Sequence, residues 1–592
     1  MTGAATLIGE VASVSGAVVS VRLRDDMPST LIYVEGQSYR VGQVGAFLRI
    51  PLGYTHLFGI CTQVGAAAAP PQEQTSTAGQ RWMTITLFGE SIGDYFERGI
   101  SQYPTVGDQV HLVTQRDLAV IYSSAGSAGT VTVGHVAASS GILARLDLGR
   151  LVARHVAIVG ATGSGKSNSV AVLLNALADE AFPSARVVII DPHGEYGATV
   201  GTRGRVFRVN ADTSKGEKEL VIPFWALPFD ELREISLGGL QPAADSAIRE
   251  EVFRRKKEAA VLLKAPPPPS SLTSDSPIPF SIKKLWFDLD DFERQTFEET
   301  GGKGKCVPTT SGSPEKLVSN LYPPAAPGSA KPFKNPSPRQ IARPLEFMRS
   351  RIVDARFRFL FEPGPDLTPA LDGTTKADLD SLVQAWVGHD RPLTVLDVSG
   401  LPPEVLSTVV GTLLRVIYDM LFWAGTLPVS GRSQPLMIVL EEAHTFLQEN
   451  AVGPATRVIA RIAKEGRKYG VGLAVVTQRP TDLDSSILSQ CGTLISLRLT
   501  NSTDRAKVQS AMHDDLGALS AMLPALRTGE GLVIGEAMPI PTRIRFFKAP
   551  NKPTGDDPLM PESWTRPRPD AVLYEKALVN WRRQSVFDPE GA

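Results

Sequence analysis

The sequence predicts an α/β protein: a nucleotide-binding core built on a parallel sheet, a small β-barrel before it and a helical insertion within it. Three observations carry that expectation. Short alternating strands broken by glycine fill residues 5 to about 135. From Val156 onward, apolar strand-like runs alternate with helical patterns, the signature of a parallel sheet covered by helices. Between the first of those strands and its helix stands Gly160-Ala-Thr-Gly-Ser-Gly-Lys-Ser167, a complete G-x-x-x-x-G-K-[ST] phosphate loop.

Taken in order, the N-terminal runs Val11–Leu23, Val41–Ile50, Leu57–Val64 and Trp82–Phe88 have the length and turn spacing of a small antiparallel barrel or sandwich. The Ala/Pro/Gln/Ser stretch Gly65–Gly79 is expected to be an exposed loop. Such a barrel either serves assembly or substrate guidance, or merely packs; composition does not choose. Core strands are expected at Val156–Val159, Val187–Ile190, Leu393–Val398, Leu436–Leu440 and Val471–Thr477, with helices at Glu404–Trp423 and Pro454–Tyr469. Residues 223–390 interrupt that alternation with charged helical segments, Ala244–Leu263 and Phe292–Glu299. The intervening Pro266–Pro269 and the Pro/Ser/Gly-rich Cys306–Pro338 are expected to be long, poorly ordered loops. The division is therefore 1–140 barrel, 141–222 first part of the core, 223–390 insertion, 391–548 second part of the core and 549–592 C-terminal extension. The run Arg254-Arg-Lys-Lys257 reads as a solvated helix face rather than a nucleic-acid contact.

A phosphate loop works as a strand-to-helix turn, because its glycines let backbone N–H groups converge and the helix N-terminus adds positive potential. Gly160, Thr162, Gly163, Ser164, Gly165, Lys166, Ser167 and Asn168 form the expected nucleotide-binding set. Lys166 would reach the β- and γ-phosphates and the Ser167 hydroxyl would bind Mg²⁺. Asp191, at the tip of the second strand, either serves the site or caps the turn before Pro192. Glu441 and Glu442 follow five apolar residues, a Walker B arrangement with Glu441 toward the metal and Glu442 polarising the attacking water. Gln478 ends the next strand, where an amide can sense the γ-phosphate. Arg467 and Lys468 suit either an arginine finger or a solvated helix end favoured by the helix dipole. ATP and Mg²⁺ are the cofactors implied.

The chain has 592 residues, 42% of them hydrophobic, and a net charge of −1, so any polyanion-binding surface has to be local. Its three cysteines, Cys61, Cys306 and Cys491, support neither a disulfide framework nor a zinc site. The expectation is a cytoplasmic protein without a membrane-spanning run.

In order, Gly160–Ser167, Asp191–Tyr196, Glu441–His444, Lys464–Gly470, Thr477–Pro480, Ile487–Cys491 and Leu494–Leu499 with Asn501 resemble the motifs of the HerA branch of the HerA/FtsK hexameric ATPases. The N-terminal barrel fits as well; the Pro-rich insertion and the residues after Ala549 are not covered. The resemblance implies a RecA-like P-loop core, a homohexamer with ATP between neighbours and double-stranded DNA in the pore. It implies Glu442 in catalysis, Gln478 in sensing, Arg467 as a finger supplied in trans and Arg154 as a second arginine near the nucleotide. It also implies an effector partner, a nuclease in DNA-end processing or a nuclease or NADase in antiphage defence; the long insertion favours the defence type.

The leading functional expectation is an ATP-driven translocase or helicase on duplex DNA. The alternative is a ring that scaffolds and regulates an effector, hydrolysing ATP without processive movement. A secretion ATPase is weakened by the missing membrane segment, and an ABC ATPase by the lack of Leu-Ser-Gly-Gly-Gln before Glu441. Lys215 and Lys218 are candidate pore residues, with solvated turn lysines as the plain alternative.

Overall fold

The computed structural model describes residues 6–583, apart from 26–30, 35–36, 67–80, 124–128, 328–329, 449–452, 512–516 and 556–559. The loop expected at Gly65–Gly79 falls almost wholly outside the described residues.

The N-terminal strands are β1 (Leu7–Ser15), β2 (Val18–Leu23), β3 (Leu31–Val34), β4 (Gln37–Arg40), β5 (Phe47–Leu52), β6 (Thr55–Ala66), β7 (Arg81–Ile92), β8 (Tyr95–Arg98) and β9 (Gln109–Leu112). Hydrogen bonding runs β2-β1-β9-β5-β6-β7, and β7 returns to β2, so six strands close a barrel and leave no free edge among them. Alternate residues point inward: Ile8, Val19, Val21, Leu48, Ile50, Leu57, Ile85 and Val110 fill it, each burial contributing about 1.5–3 kcal/mol.

The core strands are β10 (Thr130–Val136), β11 (Ser139–Asp147), β12 (Val156–Val159), β13 (Val187–Asp191), β14 (Gly204–Arg208) and β15 (Lys218–Glu219). After the insertion, whose small sheet is β16 (Thr296–Glu299), β17 (Lys303–Lys305) and β18 (Phe333–Lys334), come β19 (Leu393–Asp397), β20 (Leu436–Leu440), β21 (Val471–Thr477), β22 (Thr493–Ser496), β23 (Glu530–Gly535) and β24 (Thr542–Phe546). One sheet runs β11-β10-β24-β23-β22-β12-β21-β20-β13-β19-β14-β15. Strands from β22 to β15 are parallel, as expected. The other four are antiparallel, so the full sheet is mixed. The sequence could not show this, because antiparallel edge strands are as apolar as parallel ones. Strands β10 and β11 join this sheet, which places the end of the barrel before residue 130 rather than at 140.

The P-loop strand β12 does not touch the Walker B strand β20; β21 lies between them, and β13 lies beyond. That order is RecA-like. It brings the C-terminal tips of β12, β21 and β20 side by side, at the edge where parallel sheets bind ligands. Helix Lys166–Leu177 lays Val170, Leu173, Leu174 and Leu177 on the sheet, the i, i+3, i+4, i+7 stripe of a core-facing helix.

Helix Pro403–Trp423 is long and apolar enough to cross a membrane, with mean hydropathy 1.6 in its most apolar window; the sequence expectation had found no such run. Here the helix buries Val405, Val409, Leu413 and Ile417 in the core and packs on helix Pro454–Glu465. The two helices approach closely at Gly411, where a Cβ would lie 2.8 Å from Ala455 N.

The insertion is largely helical, but the helix expected at Phe292–Glu299 is instead the end of helix Ile282–Arg294 followed by strand β16, and the Pro-rich part is ordered where described. Residues 306–323 fold back through backbone hydrogen bonds between Thr310 and Leu321 and between Ser313 and Val318. The basic run is structural: Arg255 pairs with Glu251 and Asp288, and Lys256 is buried with its ammonium donating to Ser274 and Ser276 carbonyls at 2.8 Å. Burial pushes Lys256 down to about 7. Lys215 pairs with Asp212 at 3.1 Å, the turn-lysine alternative.

Candidate functional site

The phosphate loop is held from one side by β22 and β23. Ala161 N donates to Arg498 O (3.0 Å) and Gly529 N donates to Ser164 O (2.9 Å). Gly165 has φ +97° and its Cβ position lies 2.9 Å from Gly529 N, so only glycine fits. Thr162, Gly163, Gly165 and Lys166 offer backbone N–H groups that find no backbone acceptor among the described residues, and helix Lys166–Leu177 begins without a side-chain cap. Such a row of free donors at a helix N-terminus fits a polyphosphate. Ser164 is fully buried, its hydroxyl without a partner, and supports the loop from inside.

Lys166 is buried, its Nζ 2.5 Å from Glu441 Oε1 and 2.9 Å from Glu442 Oε1. Burial opposes its charge, but the two carboxylates outweigh that and hold it protonated. Glu441 and Glu442 part ways. Burial pushes Glu441 up to about 7 against the pull of Lys166. Burial also opposes ionisation of Glu442, yet the His444 hydrogen bond and the Lys166 ammonium draw it down to about 2. A carboxylate kept ionised at the tip of β20 is ready to orient and polarise a water. Its backbone is left-handed, φ 45°, ψ 48°, an uncommon state for glutamate that turns the side chain back toward the loop.

The neighbours of Glu442 connect it to the sensor strand. Gln478 N donates to Glu442 Oε2 (3.4 Å), and Gln478 Oε1 accepts from Thr162 Oγ1 (2.7 Å). His444 Nδ1 lies 3.2 Å from both Glu442 Oε2 and Thr477 Oγ1. Gln478 thus touches the phosphate loop and the catalytic glutamate together.

Two expected site residues take other work. Asp191, fully buried, accepts backbone N–H groups of His193, Gly194 and Tyr196 at 2.9–3.2 Å; it caps its own turn and does not face the loop. Asn168 donates to Phe547 O and accepts from Ala549 N, so its amide clamps the C-terminal segment. Two residues that sequence reasoning missed lie in the same turn. Tyr196 donates its hydroxyl to Glu441 Oε2 at 3.1 Å, and Ser167 Oγ donates to Glu195 Oε2 at 3.3 Å. Their signal was present in the quoted motif, but the pairing needs the fold.

Arg467 and Arg154 lie at the opposite edge. Arg467 precedes β21 and Gln478 follows it, a separation of about 20 Å at 3.3 Å per residue. Arg467 is exposed with no salt bridge among the described residues; Arg154 pairs with Glu536 at 3.1 Å. Neither reaches the nucleotide site of its own chain.

A loop of free N–H groups, a buried lysine and an ionised glutamate make a P-loop ATPase site. Residues 131–417 match the family described as the central domain of helicase HerA. The chain is similar to the HerA family over most of its length. It is 26% identical over 475 residues to the DNA double-strand break repair helicase HerA of Sulfolobus acidocaldarius, 80% of this chain and 79% of that one. To the protein of the same name from Pyrococcus furiosus it is 25% identical, over 74% and 73%. Among solved structures, VirB4 of Thermoanaerobacter pseudethanolicus is 17% identical with TM-score 0.45, covering 72% of this chain and 98% of that one. The coupling protein TrwB with a non-hydrolysable ATP analogue is 14% identical with TM-score 0.37, covering 73% and 92%.

ATP and Mg²⁺ fit this site. Lys166 and the loop N–H groups would hold the phosphates, and Ser167 with the nearby carboxylates would hold the metal, which when bound neutralises charge on the transferring phosphoryl group. Glu442, ionised at the tip of β20, would orient the water and accept its proton, and Gln478, bonded to Thr162 and Glu442, is placed to sense the loop.

Proposed function

We propose that this chain is an ATP-driven motor on double-stranded DNA. It works as a homohexamer in which Arg467 of one subunit completes the site of the next. The observation that carries the proposal is the polarity of the sheet. The hydrolytic set lies at the C-terminal tips of β12, β20 and β21, and a free arginine lies at the N-terminal edge. A head-to-tail contact between copies would bring the two together, and such contacts close into rings. The named activity of the curated HerA relatives, repair of DNA double-strand breaks by a helicase, supports DNA as the substrate. An effector partner, a nuclease or NADase in defence or end processing, is part of the proposal.

The test is ATP turnover of the purified protein, alone and with co-expressed genomic neighbours, with and without duplex DNA. The motor predicts stimulation by duplex of any sequence that fades as salt rises, because phosphate neutralisation dominates sequence-independent affinity. Turnover indifferent to duplex, together with no duplex binding at low salt, would replace it with the regulatory scaffold.

A further inference from the structure

We infer that Glu195 is a carboxylate of the Mg²⁺ shell, and that the C-terminal segment Ala549–Gly555 holds it in place. This rests on the ATPase assignment and adds a residue to it.

The Walker B position cannot serve the metal alone as it stands. Both oxygens of Glu441 are engaged deep in the core, Oε1 by Lys166 and Oε2 by the Tyr196 hydroxyl, and the residue is 1% exposed. The carboxylate that meets the metal-binding hydroxyl is Glu195, whose Oε2 accepts from Ser167 Oγ at 3.3 Å. Mg²⁺ in nucleotide sites keeps several waters and takes one or two carboxylates beside the phosphates. A half-buried carboxylate already aimed at the serine is the chemistry that shell needs.

The turn that carries Glu195 is rigid on one side. Asp191 takes three N–H groups of the turn, and Gly194 supplies its φ of +71°. On the other side lies the C-terminal segment. Asn168, next to the metal-binding serine, fixes Phe547 and Ala549 through both ends of its amide. Five residues after Ala549, Thr554 N donates to Glu195 O at 2.9 Å and Thr554 Oγ1 to Gly194 O at 3.3 Å. A Cβ on Gly555 would lie 2.5 Å from the Glu195 carboxyl carbon. The segment therefore spans from the phosphate-loop helix to Glu195, and anything larger than glycine displaces the carboxylate.

The test is binding of a fluorescent ADP analogue at fixed concentration while Mg²⁺ is titrated, repeated in EDTA, for wild type, Glu195→Gln, Glu195→Asp and Gly555→Ala. Supporting-shell changes of this kind cost about 10–100-fold in metal affinity. We expect Glu195→Gln to raise the Mg²⁺ midpoint about tenfold or more and to leave metal-free binding equal or tighter, since a negative charge beside the phosphates is gone. Glu195→Asp should fall between, and Gly555→Ala should shift the midpoint in the same direction by less. A merely structural role for Glu195 would weaken both conditions together. Midpoints within about twofold of wild type for Glu195→Gln overturn the assignment. An unchanged Gly555→Ala overturns the role of the C-terminal segment. Wild type that binds no analogue in either condition overturns the ATPase assignment itself.

Discussion

At the scale of the residue, the site is a contest between burial and pairing. Glu442 is drawn down to about 2 while Glu441 is pushed up to about 7; both oxygens of Glu441 are engaged by Lys166 and Tyr196, which leaves the ionised Glu442 as the carboxylate to polarise water. Glu442→Gln should lower turnover by about a hundredfold or more and leave nucleotide binding intact, as steady-state kinetics and analogue binding would report. Wild-type turnover in that variant would refute the catalytic role. Tyr196→Phe removes the hydroxyl that fixes Glu441 and leaves one buried oxygen short of a donor. We expect a stability loss of about 1–3 kcal/mol with a lower kcat, read by denaturant unfolding beside kinetics. The phosphate loop, the glutamate pair and Gln478 were legible in the sequence because each is a short motif at a strand tip. The sequence left Asp191 between a site role and capping its turn, and its three backbone partners show the second. The work of Asn168 was not legible, because its partners are two backbone groups some 380 positions away, and a backbone partner leaves no trace in residue type.

At the scale of the element, close approach and polarity decide. Gly411 lets helix Pro403–Trp423 meet the backbone of Pro454 and Ala455. Gly411→Ala should destabilise by about 1–3 kcal/mol through overpacking, measured by urea unfolding; an unchanged midpoint would mean the helices separate freely. His389, beside the edge strands, is depressed to about 4 by burial and then by Arg205. The unfolded chain takes up its proton below about 6.5, while the folded chain refuses it until about 4. That group's contribution is complete above pH 6.5 and is lost as pH falls through the window. His389→Gln should therefore flatten the fall in Tm between pH 6.5 and 4 relative to wild type, and an identical slope would contradict the assignment. Elements with strong period were legible, from the barrel strands to β12, β20 and β21. The antiparallel partners β23 and β24 were not, because pairing direction is set by the path of the chain rather than by apolar pattern. The ordered loops between 306 and 323 were misjudged for a related reason, since proline content alone does not register a hydrogen-bonded return of the chain.

At the scale of the whole molecule, the hydrolytic set and the exposed Arg467 lie at opposite ends of the same strands, and one chain cannot join them. Hydrolysis needs a neighbour if Arg467 is the finger, and such fingers contribute about 10³ or more. Arg467→Ala rings and Glu442→Gln rings should each be inactive, while mixed rings should regain part of the wild-type rate; no recovery in rings shown to be mixed would remove Arg467 from that role. The C-terminal helix Ala571–Arg583 is exposed, with Tyr574 66% and Trp581 73% exposed.

The measurement that most directly tests the central claim is ATP turnover of the purified protein, alone and with co-expressed genomic neighbours, titrated with duplex DNA at low and raised salt. The motor predicts turnover that rises with duplex irrespective of sequence and loses that rise as salt screens the phosphates. Turnover that ignores duplex at every salt, in both forms, and a protein that never binds it, would contradict the claim.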